Sequence, residues 1–332
     1  MYKGKTKGEY CICSKDEQNI LVLSAKNKVF KYSRDLECVE TFLTYANKFG
    51  YRLSDDAQQL LFLDTGRVFL QEMQSHGINS FTVAQGNDMV FWAEFLDKDK
   101  IIYFKTEEKA KIFKNNLFVL DAKTGKSELY KALPDGVLRR AGSVGNTFIS
   151  FLRCPVLDGN QYYSKYDNEY VLVMDYSSQE NKELIIKPQD ENCYAICGAE
   201  NGYACSNDGE KLFIITGEHK FRKRQGLCKT DIKTGENKKI LLRKQRNRGR
   251  LNEIHWLNYK GMFCVIYPEL KIVELFSENM EKVNEFPFNT FLKKLPGDNI
   301  SFYDENNALN ICKRSELPEK YEEMYTAMYE SY

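Results

Sequence analysis

The chain alternates short apolar segments with short polar ones, and one such pattern occurs twice. Residues 117–133 read LFVLDAKTGKSELYKAL, and residues 227–242 read LCKTDIKTGENKKILL. In each copy, two apolar segments flank the motif Asp-x-Lys-Thr-Gly, in which Gly125 and Gly235 supply the positive φ that a tight turn requires. Each copy is therefore predicted to form a β-hairpin.

A second pattern, a Ser-x-Asp turn or a looser equivalent before an apolar strand, recurs along the whole chain. We place such turns at Ser14, Ser54, Gln85, Val144, Ser206, Asn258 and Asp304. Their mean spacing of roughly 48 residues is typical of the four-stranded blades of a β-propeller. One blade cannot bury both faces of its sheet, so seven blades are expected to pack around a common axis. The alternatives are a pair of β-sandwiches and a two-domain α+β protein.

The part of the pattern around residues 206–242 resembles a known family. The turn Ser206–Asn207–Asp208–Gly209, the strand after it and the hairpin at residues 227–242 look like the repeat of TolB-like β-propellers. That repeat is similar to the one in the N-terminal propellers of prolyl-oligopeptidase-type enzymes. The resemblance implies an all-β propeller, and because TolB-like propellers have six blades, six blades are the alternative to seven. It implies no activity, since a fold does not carry a function with it.

The C-terminal residues depart from the strand pattern. We predict one propeller domain over residues 1–332 and a short helix over residues 316–331, with Ser315 as the N-cap and Pro318 in the first turn. One stripe of this helix would hold Tyr321, Met324, Tyr325, Met328 and Tyr329. This stripe either packs against the propeller or offers a surface to a partner helix.

Composition narrows the function classes only a little. Aromatic residues make up 13% of the chain and prolines number only 7, a mix that favours strands. The net charge is +1, so bulk charge does not indicate a nucleic acid or an anionic membrane as the partner. The sequence shows neither a membrane-spanning apolar stretch nor a signal peptide, so we expect no membrane association and a cytoplasmic location. The ten cysteines are then expected to be reduced and mostly buried.

The directions of the strands predict where binding residues lie. If the strands of a blade are a to d, the b–c and d–a connections leave one face, and the a–b and c–d turns leave the other. Three long segments, 96–115, 153–168 and 217–226, are predicted to be b–c connections. All three would therefore project from the same face, and long loops on a rigid scaffold are common binding sites.

Basic and aromatic residues concentrate in these connections and in the d–a connection that begins near residue 243. The candidate binding residues are Lys220, Arg222, Lys223, Arg224, Arg243, Arg246, Arg248, Arg250, Tyr162, Tyr163, Tyr166 and Phe221. Arginines interleaved with aromatic rings suit contact with phosphate or carboxylate groups. The alternative is a solvated surface that only aids solubility.

No residue is assigned to catalysis, and no cofactor or metal is expected. The pair Cys11 and Cys13, like the group Cys193, Cys197 and Cys205, matches no zinc-binding spacing. The sequence has no nucleophile elbow, phosphate-binding loop or His-Glu-x-x-His motif.

The predicted function is therefore that of a non-enzymatic binding scaffold. Its basic, aromatic face would hold a partner protein or another anionic ligand. The alternatives are a nucleic-acid-binding propeller and a hydrolase or lyase with its site at the axial mouth, so enzymatic activity is left open, with the non-enzymatic interpretation preferred. We expect another protein as the partner, with a nucleic acid or other polyanion as the alternative, and a monomer when the chain is isolated.

Overall fold

The structure is a computed structural model, and it divides into two compact units. It describes residues 2–7, 9–14, 17–24, 27–44, 49–109, 112–133, 137–144, 147–153, 169–175, 184–186, 193–195, 203–206, 208–218, 225–243, 252–257 and 261–330. Unit 1 comprises residues 1–135 and 292–322, and unit 2 comprises residues 136–291 and 323–332.

Unit 1 contains four antiparallel four-stranded sheets. Sheet 1 consists of β2 (Tyr10–Cys13), β3 (Asn19–Leu23), β4 (Lys28–Ser33) and β5 (Cys38–Leu43). Sheet 2 consists of β6 (Phe49–Leu53), β7 (Gln59–Leu63), β8 (Arg67–Glu72) and β9 (Ile78–Thr82). Sheet 3 consists of β10 (Met89–Phe95), β11 (Lys100–Lys109), β12 (Ile112–Asp121) and β13 (Ser127–Ala132). Sheet 7 consists of β27 (Lys293–Leu295), β28 (Asn299–Tyr303), β29 (Ala308–Lys313) and β1 (Tyr2–Lys7).

Unit 2 contains the other three sheets, which are also antiparallel. Sheet 4 consists of β14 (Val137–Val144), β15 (Thr147–Arg153), β16 (Glu169–Asp175) and β17 (Leu184–Ile186). Sheet 5 consists of β18 (Cys193–Ala195), β19 (Tyr203–Cys205), β20 (Lys211–Glu218), β21 (Gln225–Asp231) and β22 (Asn237–Leu241). Sheet 6 consists of β23 (Glu253–Leu257), β24 (Met262–Tyr267), β25 (Ile272–Ser277) and β26 (Lys282–Phe286). In sheet 5, β18 and β19 both pair with β20 as two pieces of one strand position.

The predicted all-β propeller fold is confirmed, and the described strands form seven sheets. Sheet 7 is built from both ends of the chain, because β1 pairs with β29 in the register Tyr2↔Ile311. The sequence patterns did not predict this closing pair. This pairing covers the edge of β29 and ties residues 2–7 to residues 308–313.

Outside sheet 4, the second strand of each sheet is buried on both faces where its side chains are described, as expected for stacked blades. In sheet 2, Leu61 and Leu63 pack in a cluster with Tyr103 of sheet 3. The alternate residues Leu60 and Phe62 pack in a different cluster, with residues of sheet 1. Such strands therefore have near-continuous apolar sequences, and no single sheet of unit 1 could bury its apolar surface alone.

The seven predicted turns all come before strands, but two of them do not lie at the same position in their sheets as the others. Five lie between the first and second strands of a sheet, namely those at Ser14, Ser54 and Ser206 and those that follow Val144 and Leu257. Gln85 precedes the first strand β10, and Asp304 lies between the second and third strands β28 and β29. The equivalent turns are at residues 96–99 and 296–298. A polar turn can precede the first, second or third strand of a sheet. The sequence pattern alone therefore did not show which strand followed each turn.

The Ser-x-Asp turns are held by a repeated set of hydrogen bonds. Ser54 Oγ donates to Asp56 Oδ1 at 2.8 Å and accepts from the Gln59 N–H at 2.9 Å. Ser206 Oγ accepts from the Lys211 N–H at the same distance. Both serines are buried. Hydrogen bonds from the serine and from the backbone lower the pKa of Asp56 below its usual value.

Replacing Ser54 with alanine is expected to lower the free energy of unfolding by about 1–2 kcal/mol, because a buried backbone N–H loses its acceptor. Urea denaturation of the variant would measure this. Ser75→Ala is the control, since Ser75 is exposed and accepts from the Gly77 N–H at 3.2 Å. Equal losses in the two variants would contradict a structural role for the buried serine.

The C-terminal helical segment is present, but its start differs from the prediction. The α-helix α1 (Glu322–Tyr325) follows 3-10 turns at Arg314–Glu316 and Glu319–Tyr321 and is continued by a π-helical turn at Thr326–Glu330. Ser315 therefore lies inside a 3-10 turn and is not an N-cap. The whole predicted stripe is buried, namely Tyr321, Met324, Tyr325, Met328 and Tyr329. The stripe thus packs within the protein, and its interpretation as a surface for a partner helix is wrong.

The described cysteines are free thiols, and most are at least partly buried. Cys205, Cys264 and Cys312 are buried, whereas Cys38 is exposed. Cys11 and Cys13 pack against the apolar cluster of sheets 1 and 7, and burial raises the pKa of Cys13 to about 12. No helix in the described ranges is both long and apolar enough to cross a membrane.

Candidate functional site

Only one of the predicted binding residues, Arg243, belongs to the described part of the chain. The remaining candidates lie outside the described residues: Lys220, Arg222, Lys223, Arg224, Arg246, Arg248, Arg250, Tyr162, Tyr163, Tyr166 and Phe221. Their segments nevertheless begin and end at strands whose positions are known. The strand ends therefore show from which end of a sheet each segment starts.

The register of sheet 5 places the starts of two basic segments side by side. Thr216 of β20 pairs with Gly226 of β21, which pairs in turn with Leu241 of β22. Neighbouring strands lie ~4.8 Å apart, so Thr216 and Leu241 are about 10 Å apart. Segment 219–224 begins three residues after Thr216, and segment 244–251 begins three residues after Leu241. The two strands that lead into them, β20 and β22, run in the same direction. Both segments therefore leave one end of sheet 5, as the strand alternation predicted.

These two segments are rich in basic residues. Segment 219–224 contains Lys220, Arg222, Lys223 and Arg224. Segment 244–251 contains Lys244, Arg246, Arg248 and Arg250. Neither segment has an acidic residue. We refer to these two segments as the basic end of sheet 5.

The predicted connections differ from the observed ones in length. Most of segment 96–115 is paired strand, since β11 and β12 pair continuously from Lys100↔Asp121 to Lys109↔Ile112. Its prediction as a long loop is therefore wrong, because the charged residues of these strands obscured their alternation. Segment 217–226 likewise includes strand residues at both ends, which leaves residues 219–224 between β20 and β21. The third connection joins β15 to β16 as predicted.

Arg243 fixes the point at which the second basic segment leaves the sheet. Its Nε donates to Glu274 Oε1 at 2.5 Å, and another guanidinium nitrogen donates to Glu285. At the other end of the segment, Asn252 is completely buried immediately before β23. The residues on either side of segment 244–251 are thus fixed, and the charge of Arg243 is neutralised by carboxylates of sheet 6.

The carboxylate that binds Arg243 belongs to a buried polar network. Only 6% of the Glu274 side chain is exposed, and it accepts hydrogen bonds from the Tyr267 hydroxyl at 2.6 Å and from Lys282 Nζ at 2.9 Å. Burial acts to raise the pKa of Glu274, but the hydrogen bonds from Tyr267, Lys282 and Arg243 outweigh it and lower the pKa below its usual value. Burial and the neighbouring carboxylate raise the pKa of Tyr267. Glu274 is therefore ionised at neutral pH, and Tyr267 is neutral.

Sequence reasoning missed this network, although the sequence contains a signal for it. Glu274 is the single carboxylate inside the apolar strand IVELF. A charged residue within a buried strand is nearly always paired, so its position predicts a nearby cation. The sequence does not identify that cation, because Arg243 and Lys282 lie on other strands or connections.

Other polar pairs lie on first strands of the sheets. In unit 2, His255 Nε2 lies 3.4 Å from Glu253 Oε2, and its ring stacks on Phe291 with centroids 3.8 Å apart. In unit 1, Arg52 Nε donates to Glu94 Oε2 at 2.9 Å. Within the described ranges, no three or more His, Cys, Asp or Glu side chains are grouped so that they could hold a metal ion.

Comparison with known proteins relates the chain to others through structure alone. No protein-family model matches the sequence, and no curated protein matches it significantly. An oligogalacturonate lyase in complex with manganese is similar with a TM-score of 0.55 at 11% identity, over 96% of this chain and 99% of that one. The Cps50 (Swd1) β-propeller domain of Myceliophteria thermophila is similar with a TM-score of 0.54 at 9% identity, over 94% and 99%.

A third similar structure is a chain of a mitotic checkpoint complex, with a TM-score of 0.56 at 13% identity over 93% of this chain and 88% of that one. These neighbours include a lyase, a propeller domain and a component of a protein complex. At such low identity they establish the fold and not the activity. The chain has the β-propeller fold.

Proposed function

We propose that this protein is a binding scaffold that holds an acidic protein partner at the basic end of sheet 5. The observation that supports this most is the row Thr216–Gly226–Leu241, from which two basic segments without acidic residues leave about 10 Å apart. In a chain of net charge +1, this concentration of positive charge is local. The Ser206 turn and the hairpin after it support a TolB-like blade repeat, and the protein would act in the cytoplasm.

Local charge of this kind favours binding of carboxylate groups. Arginine guanidinium groups bind carboxylates through paired, charge-assisted hydrogen bonds. Arg243 and the buried Asn252 fix the residues on either side of segment 244–251. Because Arg243 is already neutralised by Glu274 and Glu285, we assign partner binding to the arginines beyond it.

Reversing the charge of Arg246, Arg248 and Arg250 by substitution with glutamate is expected to slow association with an acidic partner at least about tenfold, because such clusters act through long-range attraction. The probe is a fluorescein-labelled polyglutamate peptide, with association followed by stopped-flow anisotropy. The midpoint of thermal unfolding should change little, since exposed substitutions usually alter stability by within about 0.5 kcal/mol.

Reversal of Lys98, Lys123 and Lys126 is the control, because these exposed lysines lie in the turns that join β10 to β11 and β12 to β13, outside the basic end of sheet 5. Equal slowing in both triple variants would contradict a local site, and so would unchanged association in the Arg variant. A collapse of its thermal midpoint would show that the cluster is structural.

A single-stranded oligonucleotide tests the nucleic-acid alternative. Tighter binding of the oligonucleotide than of the peptide, with a steep linear dependence on log salt, would replace the protein partner by a nucleic acid.

A further inference from the structure

We propose that Arg243 and Lys282 form an anion site that the acidic partner enters by exchange, with one carboxylate of the partner taking the place of Glu285. This inference rests on the proposed function and adds two cations to its site. The residues that carry it belong to sheet 6 or lie just beyond β22, within the described part of unit 2.

The two cations share two carboxylates that differ in burial. Both cations contact the same oxygen of Glu274, Oε1, and the same oxygen of Glu285, Oε2. Only 6% of the Glu274 side chain is exposed, and its other oxygen accepts from the Tyr267 hydroxyl, so this carboxylate is fixed. The side chain of Glu285 is 37% exposed. Glu285 is therefore the carboxylate that another anion can reach and replace.

The backbone of sheet 6 brings these charges onto one face. Glu274 and Glu285 are direct partners in the β25–β26 register, so their side chains lie side by side. Lys282 and Glu285 are three residues apart and would lie on opposite faces of a regular strand. However, Lys282 pairs with Phe276, which leaves Val283 as the extra residue of a β-bulge. The bulge places Lys282 on the same face as the two glutamates.

Exchange of one carboxylate for another costs little at this position. Glu285 lies directly opposite the like charge of Glu274, an arrangement that is destabilising without nearby cations. Exposed ion pairs contribute little to stability, so Glu285 can be released to water at small cost. An incoming carboxylate forms the same charge-assisted hydrogen bonds to the guanidinium and ammonium groups. Both cations therefore keep two carboxylate partners throughout the exchange.

The position of the pair connects it to the basic end of sheet 5. Arg243 lies two residues beyond β22 and immediately before segment 244–251. Glu285 competes as an intramolecular ligand, so a single free carboxylate displaces it poorly. A partner already held by that segment presents its next carboxylate at an effective concentration on the order of mM, as for a short flexible link. The exchange therefore favours a partner with several carboxylates close together.

The test measures the affinity of the fluorescein-labelled polyglutamate peptide for the full-length protein at constant salt. Glu285→Ala is expected to tighten binding by about three- to fivefold, because the intramolecular competitor is removed. Glu210→Ala is the matched control, since Glu210 is 38% exposed, pairs with Lys233 and carries the same charge. It should bind the peptide as the native protein does. Adding Lys282→Gln to Glu285→Ala should abolish the gain.

Three results would overturn the exchange site. They are equal affinity of the native protein and Glu285→Ala, an equal gain in Glu210→Ala, and a gain that survives Lys282→Gln. The thermal midpoint of each variant is measured alongside. If the midpoint of Glu285→Ala falls, Glu285→Gln replaces it, because this variant keeps the size of the side chain and removes only its charge.

The outcomes separate this inference from the proposed function. If reversal of Arg246, Arg248 and Arg250 weakens binding but Glu285→Ala does not tighten it, exchange is overturned and the basic end of sheet 5 stands. If Glu285→Ala tightens binding but the reversal has no effect, the anion site stands and the proposed function fails. If neither change alters binding, both fail.

Discussion

Replacing Glu274 with alanine is expected to lower the free energy of unfolding by about 1–3 kcal/mol, because the buried Tyr267 hydroxyl loses its hydrogen-bond acceptor. The substitution would strand the Tyr267 hydroxyl, which donates to Glu274 at 2.6 Å. It would also leave Arg243 and Lys282 with Glu285 as their remaining carboxylate partner in the network. Urea denaturation, with the slope checked for two-state behaviour, would measure the loss.

The control for Glu274→Ala is Glu285→Ala. Glu285 binds the same two cations, but 37% of its side chain is exposed, so its removal should lower stability by at most about 1 kcal/mol. A similar loss in the two variants would contradict the importance of burial. The comparison also tests the basic end of sheet 5, because loss of Glu274 frees the anchor of segment 244–251.

The pH dependence of stability gives a second measure of the same network. The pKa of Glu274 is lowered in the folded protein, so its ionised form contributes stability above its unfolded pKa, near 4.3. That contribution is lost as the pH falls through the lower folded pKa. The stability difference between the native protein and Glu274→Gln should therefore be full at neutral pH and shrink on acidification below about pH 4. A difference that stays constant down to pH 2 would contradict this assignment.

The fold was predictable because its determinants are local and repeated. Both Asp-x-Lys-Thr-Gly hairpins occur as predicted, joining β12 to β13 and β21 to β22. Each turn depends on neighbouring residues: Asp121 Oδ1 accepts from the Lys123 and Thr124 N–H groups, and Gly125 adopts a φ of 69°. Interactions over a few residues appear directly in the sequence, so the hairpins and the repeat could be found there.

The parts that were not predicted depend on residues far apart in the chain. The pairing of Tyr2 with Ile311 closes sheet 7, but no local pattern relates the two segments. The contact between Arg243 and Glu274 joins the connection after sheet 5 to sheet 6. In the same way, the sequence placed Arg243 among the basic residues of the site but could not show that carboxylates neutralise it. The strand order and strand directions of sheet 5 show that both basic segments start from the same end of the sheet.

A contact between two turns of unit 1 leads to the second large effect. Gly297 has a φ of 72°, and a Cβ added there would lie 2.2 Å from the carbonyl oxygen of Arg34. That oxygen accepts a hydrogen bond from Asn299 Nδ2 at 2.6 Å, so it cannot move away without breaking a buried contact. The turn of sheet 7 is thereby fitted against the β4–β5 turn of sheet 1.

Gly297→Ala is therefore expected to destabilise the protein by about 3–5 kcal/mol, combining the strain of a left-handed conformation with the displacement of backbone. Gly235→Ala is the matched control, because Gly235 has a φ of 74° but nothing within 4 Å of an added Cβ. It should lower stability by only about 1–2 kcal/mol, the conformational term alone. Urea denaturation of both variants would separate the two contributions. If the losses are equal, the close approach of residue 297 to Arg34 does not hold sheets 1 and 7 together.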